Sequence, residues 1–162
     1  MSGTRAPILA LRADLRARLR SAAEAAYPNE CCALLIGAPA APPVPARVTR
    51  LVFADNVAAD PRIGFELDPK VLIAVLRELR EAEGARTAEE GQGSGQRLLG
   101  HFHSHPDAPA RPSAQDRALA DEPDLFWLIQ AVERGKAAEL NAFQAIAAGG
   151  GTGEFVAASL VG

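Results

Sequence analysis

Residues 100–116 read GHFHSHPDAPARPSAQD, and the rest of the chain is organised around this stretch. It holds all three histidines of the chain, His101, His103 and His105, at alternate positions. In a β-strand, side chains two residues apart share one face and lie about 6.5–7 Å apart along the backbone. Two imidazoles placed in this way can converge on one metal ion, and spacing alone allows either neighbouring pair. A single strand histidine is more often an ordinary polar residue, but three in five positions favour a metal site.

A proline-rich loop and a helix start follow the histidines. Three prolines within residues 106–112 stiffen the loop, which lowers the entropic cost of returning the chain to the same place. Ser113-x-x-Asp116 fits the helix capping box, the commoner role for such a pair. Ser113 can cap the helix while Asp116, in the first turn, faces a metal. With His103 and His105, Asp116 would complete the three protein ligands of a catalytic zinc site, which keeps one position open for water.

Length and composition predict one globular domain over residues 1–162, with 48% hydrophobic and 23% charged residues. Seventeen basic and twenty acidic residues give a net charge of −3, which argues against a nucleic-acid-binding face. No apolar run approaches the roughly 20 residues that cross a bilayer, and no signal peptide is evident. Cys31 and Cys32 are adjacent and cannot form a disulfide framework, so we expect a cytoplasmic protein. Nothing in the sequence indicates an oligomeric state.

Hydrophobic periodicity predicts an α/β fold of the α+β type, with a largely antiparallel sheet and about three helices. Helices are predicted at residues 13–26, from an Asp68 N-cap to about residue 83, and from Ser113 to about residue 121. Strands are predicted at residues 8–11, 31–36, 47–53, 65–67, 97–102, 125–132, 140–147 and 155–160. Residues 38–46 and 84–96 are rich in proline or glycine and are predicted to be loops. The residues of the second helix predicted to face inward are Val71, Leu72, Val75, Leu76 and Leu79.

The pattern His103-x-His105, seven residues, Ser113-x-x-Asp116 resembles the H-x-H-x7-S-x2-D motif of the JAMM (MPN-plus) zinc metalloprotease and isopeptidase family. That family includes deubiquitinating isopeptidases and their bacterial relatives. Its motif also needs a glutamate at the start of a buried strand, upstream of the histidines. Glu30 matches it, in the segment YPNECCALLIG at residues 27–37, which is similar to P-x-E-x-C-G-x-L-x-G.

Further similarity extends the resemblance over nearly the whole chain: FELDP at residues 65–69, the apolar strand through Trp127, and ELNAF at residues 139–143. Two positions depart from the family pattern. Ala33 stands where glycine is usual, and His101 stands where an aromatic residue, often tryptophan, is common. The resemblance makes His103 and His105 the ligand pair and leaves His101 as a neighbour that could line the site.

The resemblance implies a single MPN/JAMM-like domain with a curved mixed sheet and one zinc ion held by His103, His105 and Asp116. It implies that Glu30 is the general base and that the Ser113 hydroxyl supports the oxyanion. The implied reaction cleaves a peptide or isopeptide bond after the Gly-Gly tail of a ubiquitin-like protein, with a sulfur-carrier protein as the favoured partner of a compact bacterial member. An extended tail could lie beside a sheet edge near the metal by strand addition.

Three other interpretations compete with this one. A metal-free MPN scaffold that only binds protein partners would be indicated by loss of Glu30 or of a ligand, and none is lost. A cysteine nucleophile is disfavoured because Cys31 and Cys32 point to opposite faces of a strand and cannot easily cooperate. The DNA-repair-associated relatives carry an N-H-P-S-G stretch, whereas this chain has SHPD at residues 104–107.

Overall fold

The computed structural model describes residues 6–89, 95–147 and 153–162, which form seven strands in a closed barrel and three helices. None of the described helices combines the length and the apolar character needed to span a membrane. The elements in chain order are β1 (Ile8–Ala10), α1 (Ala13–Ala26), β2 (Cys32–Ala38), β3 (Ala46–Ala54), α2 (Pro69–Glu89), β4 (Arg97–Pro106), α3 (Ala114–Leu119), β5 (Phe126–Glu133), β6 (Lys136–Ile146) and β7 (Glu154–Val161).

The strand order around the barrel is β1-β3-β2-β4-β5-β6-β7, closed by a parallel pairing of β1 with β7. The β2–β3, β2–β4, β5–β6 and β6–β7 pairs are antiparallel, and β1–β3 and β4–β5 are parallel. The chain can place β5 parallel to β4 because the connection that contains α3 is long enough to cross over. The predicted α+β fold with a largely antiparallel sheet is confirmed.

The side chains of β4 alternate between the core and the opposite face of the strand, which carries the histidines. Phe102 is fully buried in the main core with Leu35 and Leu128 of the neighbouring strands, and α1 adds Leu15 and Leu19 to the same cluster. Since successive strand residues point to opposite faces, the histidines of β4 lie on the other face. On that face α2 packs Val75 against Leu34 and Ile36 of β2.

Several predicted boundaries are wrong. Residues 65–67 do not form a strand, because the segment makes only an isolated bridge between Asn56 and Leu67. Helix α2 continues to Glu89, into the predicted loop at 84–96, and residues 90–94 of that loop lie outside the described part of the chain. A single glycine at position 84 did not end the helix, since glycine lowers helix propensity by only about 1 kcal/mol. Leu76, predicted to face inward, is exposed.

The strand addition expected at a sheet edge near the metal stays a prediction. Strand β4 is bonded to β2 on one side and to β5 on the other, and β2 lies between β3 and β4, so the histidine strand itself offers no edge. Strand β1 pairs only with Ala46 and Arg47 of β3, so residues 48–54 of β3 have no strand on their outer side in the described part of the chain.

Gly100 allows the close approach of β4 and β5, because a Cβ atom there would collide with the backbone of Phe126. We expect Gly100→Ala to lower the free energy of unfolding by about 1–3 kcal/mol, measured by urea denaturation. Gly84→Ala in α2 is the control, since a Cβ there would meet no atom within 4 Å. Equal stability of Gly100→Ala and the wild type would contradict the described β4–β5 packing.

Candidate metal centre

The structure brings His103, His105 and Asp116 together in a buried cluster. The two Nε2 atoms lie 2.9 Å apart at the end of β4. Oδ1 of Asp116 is 3.1 Å from Nε2 of His103, and Oδ2 is 3.3 Å from Nε2 of His105. Two imidazole nitrogens and a carboxylate therefore point toward one small region.

The capping box predicted for Ser113 and Asp116 is confirmed, and it sets the direction of the carboxylate. The Asp116 amide donates to Ser113 Oγ at 3.1 Å, and the Ser113 amide donates to Asp116 Oδ2 at 2.7 Å. The same carboxylate faces both imidazoles, so capping and site formation use one residue. The hydroxyl of Ser113 accepts one hydrogen bond here and keeps its own proton to donate elsewhere.

The proline-rich loop fixes the ring of His105. Nδ1 of His105 lies 2.8 Å from the Pro109 carbonyl oxygen, which can only accept a hydrogen bond. Nδ1 therefore carries the proton in the neutral ring, and Nε2 presents its lone pair to the cluster. His103 is held instead by stacking on Phe65, with ring centroids 4.3 Å apart and an interplanar angle of 21°.

Glu30 reaches the same cluster from the start of β2. Its carboxylate and the imidazoles of His103 and His105 offer ligand atoms that all lie within 4.8 Å of one another. The side chain is buried, and Oε2 has no hydrogen-bond partner among the described residues. An unpaired buried carboxylate oxygen is costly, and a cation is one group that would compensate it.

The environments of Glu30 and Asp116 shift the pKa values of their carboxyl groups in opposite directions. Burial raises the pKa of Glu30 to about 8, with His105 opposing this rise and the Asp116 charge adding to it. Burial alone would raise the pKa of Asp116 too, but hydrogen bonds from His103 and His105 hold it far below its usual range. Burial lowers the pKa of His103, which favours the neutral ring that a metal requires. Burial also opposes the charge on His105, yet bonding to Asp116 and Pro109 raises its pKa overall.

These residues fit a zinc ion. Two imidazole nitrogens and an ionised carboxylate are the donor types that zinc takes at sites with an open fourth position. The fixed His105 tautomer and the unpartnered Oε2 of Glu30 are the observations that make the fit specific. The predicted metal and base residues are thus all brought to one place by the fold.

His101 does not join the cluster. Its ring centroid is 6.1 Å from that of His103, and it packs edge-on against Trp127 at 4.0 Å. Burial lowers its pKa to about 3, so the ring is neutral near pH 7. It lines a groove of about 830 Å³ beside the cluster, whose walls include Ile63, Phe65 and Leu119.

Sequence reasoning missed the residues that tie Glu30 to the rest of the site. Asn56 donates through Nδ2 to the Glu30 carbonyl at 3.1 Å. Tyr27, close before Glu30, donates its hydroxyl proton to Asp107 Oδ2 at 2.8 Å, and the Arg134 amide donates to Asp107 Oδ1 at 2.7 Å. Asp107 adopts a positive φ of 51°, which aspartate tolerates better than most residues.

The cysteines do not form a nucleophilic site. Cys32 is buried with Sγ 3.5 Å from the Ala54 carbonyl, and burial raises its thiol pKa to about 12. Burial also raises the pKa of Cys31, whose amide donates to Ser104 Oγ at 2.9 Å. Neither thiol is ionised near neutral pH, which removes the chemistry that a cysteine nucleophile needs.

Residues 12–146 match a family described as prokaryotic homologs of the JAB domain, and the protein belongs to this family. A desampylase from Haloferax volcanii is 34% identical over 125 residues, which cover 75% of this chain and 78% of that protein. The resemblance to the JAMM/MPN proteins, noted from the spaced motif, is confirmed.

Several solved structures are similar to this protein. A protein from Desulfitobacterium hafniense has a TM-score of 0.69 and 28% identity, with 94% of this chain and 92% of that chain covered. A Salinibacter ruber protein has a TM-score of 0.57 and 29% identity, covering 95% and 90%. A JAB1/MPN domain protein from Archaeoglobus fulgidus, at 17% identity and a TM-score of 0.51 over 98% and 99% of the chains, shares the fold.

Asp116→Ala and Asp116→Asn should both weaken zinc binding, because each removes the negative charge that faces the imidazoles. The affinity loss should exceed the roughly 10–100-fold cost of removing an outer hydrogen-bond partner. The asparagine variant can still accept the Ser113 amide, so it separates metal loss from loss of the cap. Zinc content per chain, with Asp121→Ala as a control at an exposed carboxylate beyond α3, is the measurement. Full zinc occupancy in both Asp116 variants would show that Asp116 is not a ligand.

Cys31 and Cys32 should resist alkylation in the folded protein at pH 7.5, because burial keeps both thiols protonated. Iodoacetamide labelling followed by mass spectrometry checks this, with urea-unfolded protein as the fully reactive reference. Rapid labelling of either cysteine in the folded state would contradict the described burial.

Proposed function

We propose that this chain is a zinc metallopeptidase of the JAMM type that cleaves the peptide or isopeptide bond after the Gly-Gly tail of a ubiquitin-like or sulfur-carrier protein. The observation that carries the proposal is a buried carboxylate, Glu30, with an unpartnered oxygen beside the His103, His105 and Asp116 cluster. The relative's name, desampylase, denotes removal of a ubiquitin-like modifier, which supports the substrate class. A cytoplasmic location is part of the proposal, supported by the free thiols of Cys31 and Cys32.

His103, His105 and Asp116 would hold the zinc ion, and Glu30 would stay outside its ligand set. Asp116 is the better ligand because it is ionised and both its oxygens approach the imidazole nitrogens. Glu30 is the better proton carrier because burial raises its pKa to about 8. A nearby cation favours the charged form, so metal binding would return Glu30 to a carboxylate that can accept a proton.

The chemistry that zinc supplies when bound is Lewis-acid activation, which polarises a carbonyl and lowers the pKa of water to about 7. Glu30 takes a proton from the attacking water at Oε2 and delivers it to the leaving amine. The Ser113 hydroxyl, whose oxygen already accepts the Asp116 amide, is free to donate its proton to the developing oxyanion. His105 keeps its orientation throughout because the Pro109 carbonyl holds Nδ1.

The groove beside the cluster would hold the tail of the substrate. It is lined largely by apolar side chains, including Ile63, Phe65 and Trp127, and passes His101. An extended tail lying there would be shielded from water next to the histidines. The tail would therefore bind across the outer face of the barrel, through side-chain contacts with this groove.

The proposed function is tested with the zinc-loaded protein and candidate carrier proteins that end in Gly-Gly and are fused to a reporter. We expect mass spectrometry to find cleavage directly after the second glycine. A chelator should abolish it and added zinc restore it. Purified protein that holds no zinc and gains no activity from added zinc would instead favour a binding scaffold.

Glu30→Gln should lower kcat by about 10²–10⁴-fold while zinc stays bound, because glutamine keeps the shape but cannot accept the proton. Zinc content and steady-state kinetics on one carrier fusion are measured together, with Glu154→Gln at an exposed position as the control. Loss of zinc from Glu30→Gln would make Glu30 a ligand. Undiminished kcat would remove it from the reaction.

A further inference from the structure

We propose that Asn56 is a positioning residue that fixes the backbone of Glu30, and so aims its carboxylate at the two histidines. This inference rests on the proposed function, in which Glu30 is the general base. Asn56 lies outside the spaced motif, in the segment that connects β3 to α2. The inference therefore extends the proposed site to a residue that the motif does not include.

The backbone of Glu30 is hydrogen-bonded on both sides, whereas Oε2 of its side chain has no partner. The Glu30 amide donates to the Pro61 carbonyl at 2.7 Å. The Glu30 carbonyl accepts from Asn56 Nδ2 at 3.1 Å. With no hydrogen bond to hold Oε2, the direction of the carboxylate depends on where these two bonds place the main chain.

The side-chain amide of Asn56 makes four hydrogen bonds, two as donor and two as acceptor. Besides the Glu30 carbonyl, Nδ2 donates to the Gly64 carbonyl at 3.0 Å. Oδ1 accepts from the Ala58 amide at 3.1 Å and from the Glu66 amide at 3.0 Å. An asparagine amide has two donor protons and two acceptor positions, so all four are filled. Such a residue cannot be replaced without leaving backbone groups unpaired.

The segment that Asn56 organises touches both halves of the candidate site. Pro61 within it bonds the Glu30 amide, and Phe65 within it stacks on His103. Its ends are closed by the Val57 amide donating to the Glu66 carbonyl at 2.8 Å. One side-chain amide therefore links the backbone of the proposed base to the aromatic ring that supports a proposed ligand.

The consequence is kinetic, because a base that is misplaced by about 1 Å can cost about 10² in rate. Removing the amide should lower kcat through Glu30 and leave zinc in place, since none of the proposed ligands bonds to Asn56. Comparing Asn56→Asp with Asn56→Ala separates the loss of the donor bonds from the loss of the whole side chain. Aspartate keeps the shape and both acceptor positions but loses the two donors that reach Glu30 and Gly64.

The test is a double-mutant cycle on the zinc-loaded protein with a Gly-Gly-tailed carrier fusion. We expect Asn56→Ala and Asn56→Asp to lower kcat by about 10²-fold in the wild-type background. In the Glu30→Gln background, Asn56→Ala should change the residual rate by less than about threefold, because residues that act as a unit are not additive. Gln96→Ala is the control. Gln96 immediately precedes β4, and its side-chain amide donates to Thr49 Oγ1 at 3.0 Å, so the variant also removes a side-chain amide hydrogen bond, but not one to Glu30. Equal rate losses in both backgrounds would overturn the positioning role.

Amide hydrogen exchange of the metal-free protein gives a second measurement that does not depend on activity. The Glu30, Ala58 and Glu66 amides should exchange at least tenfold faster in Asn56→Ala, and Gln96→Ala should leave them unchanged. Asn56→Asp keeps the acceptor bonds to the Ala58 and Glu66 amides but loses the donor to the Glu30 carbonyl. Among these three amides it should therefore accelerate only that of Glu30, whose bond to the Pro61 carbonyl depends on the placement of the same main chain. If the wild-type protein cleaves no carrier, the proposed function fails. Amide hydrogen exchange would still show whether Asn56 fixes the backbone of Glu30. Unchanged exchange at Glu30 in both Asn56 variants would overturn the inference.

Discussion

The structure depends on the contact between the Asp116 carboxylate and the two imidazoles of β4. The carboxylate lies 3.1 and 3.3 Å from the Nε2 atoms of His103 and His105, in a buried cluster. A buried charge of this kind persists only when it is paired and hydrogen-bonded. The strand that aligns the rings, the rigid loop that turns back and the capped helix that presents Asp116 are all needed to keep that arrangement.

A second buried carboxylate gives the site its chemical character. Glu30 and Asp116 share the cluster, yet one has a raised pKa and the other a lowered one, because only Asp116 accepts bonds from the imidazoles. Two acids separated in this way suit different tasks, one as a ligand and the other as a proton carrier. In the proposed peptidase, the ligands therefore come from one continuous segment and the base from a distant one. Asn56 and Tyr27 hold that distant segment against the rest.

Most of the fold followed from local patterns. The helix at residues 13–26 has the predicted bounds, because its apolar spacing and Pro28 are unambiguous. The apolar run predicted as a strand at residues 31–36 became the buried strand β2 (Cys32–Ala38), and Ser113 became an N-cap. The errors fell where local preference is weak. FEL at residues 65–67 is apolar enough for a strand but has no strand beside it to pair with, and α2 ran past its glycine.

The sequence by itself determined the face that the histidines share, since alternation along a strand is a local property. It also determined Asp116 as a companion in the first turn of a capped helix, and the family motif pointed to Glu30. Only the tertiary structure decided how Glu30 approaches the histidines, why Asn56 matters, and that the histidine strand is paired on both sides. Those features arise from contacts between segments far apart in the chain, and neither periodicity nor local propensity carries information about such contacts.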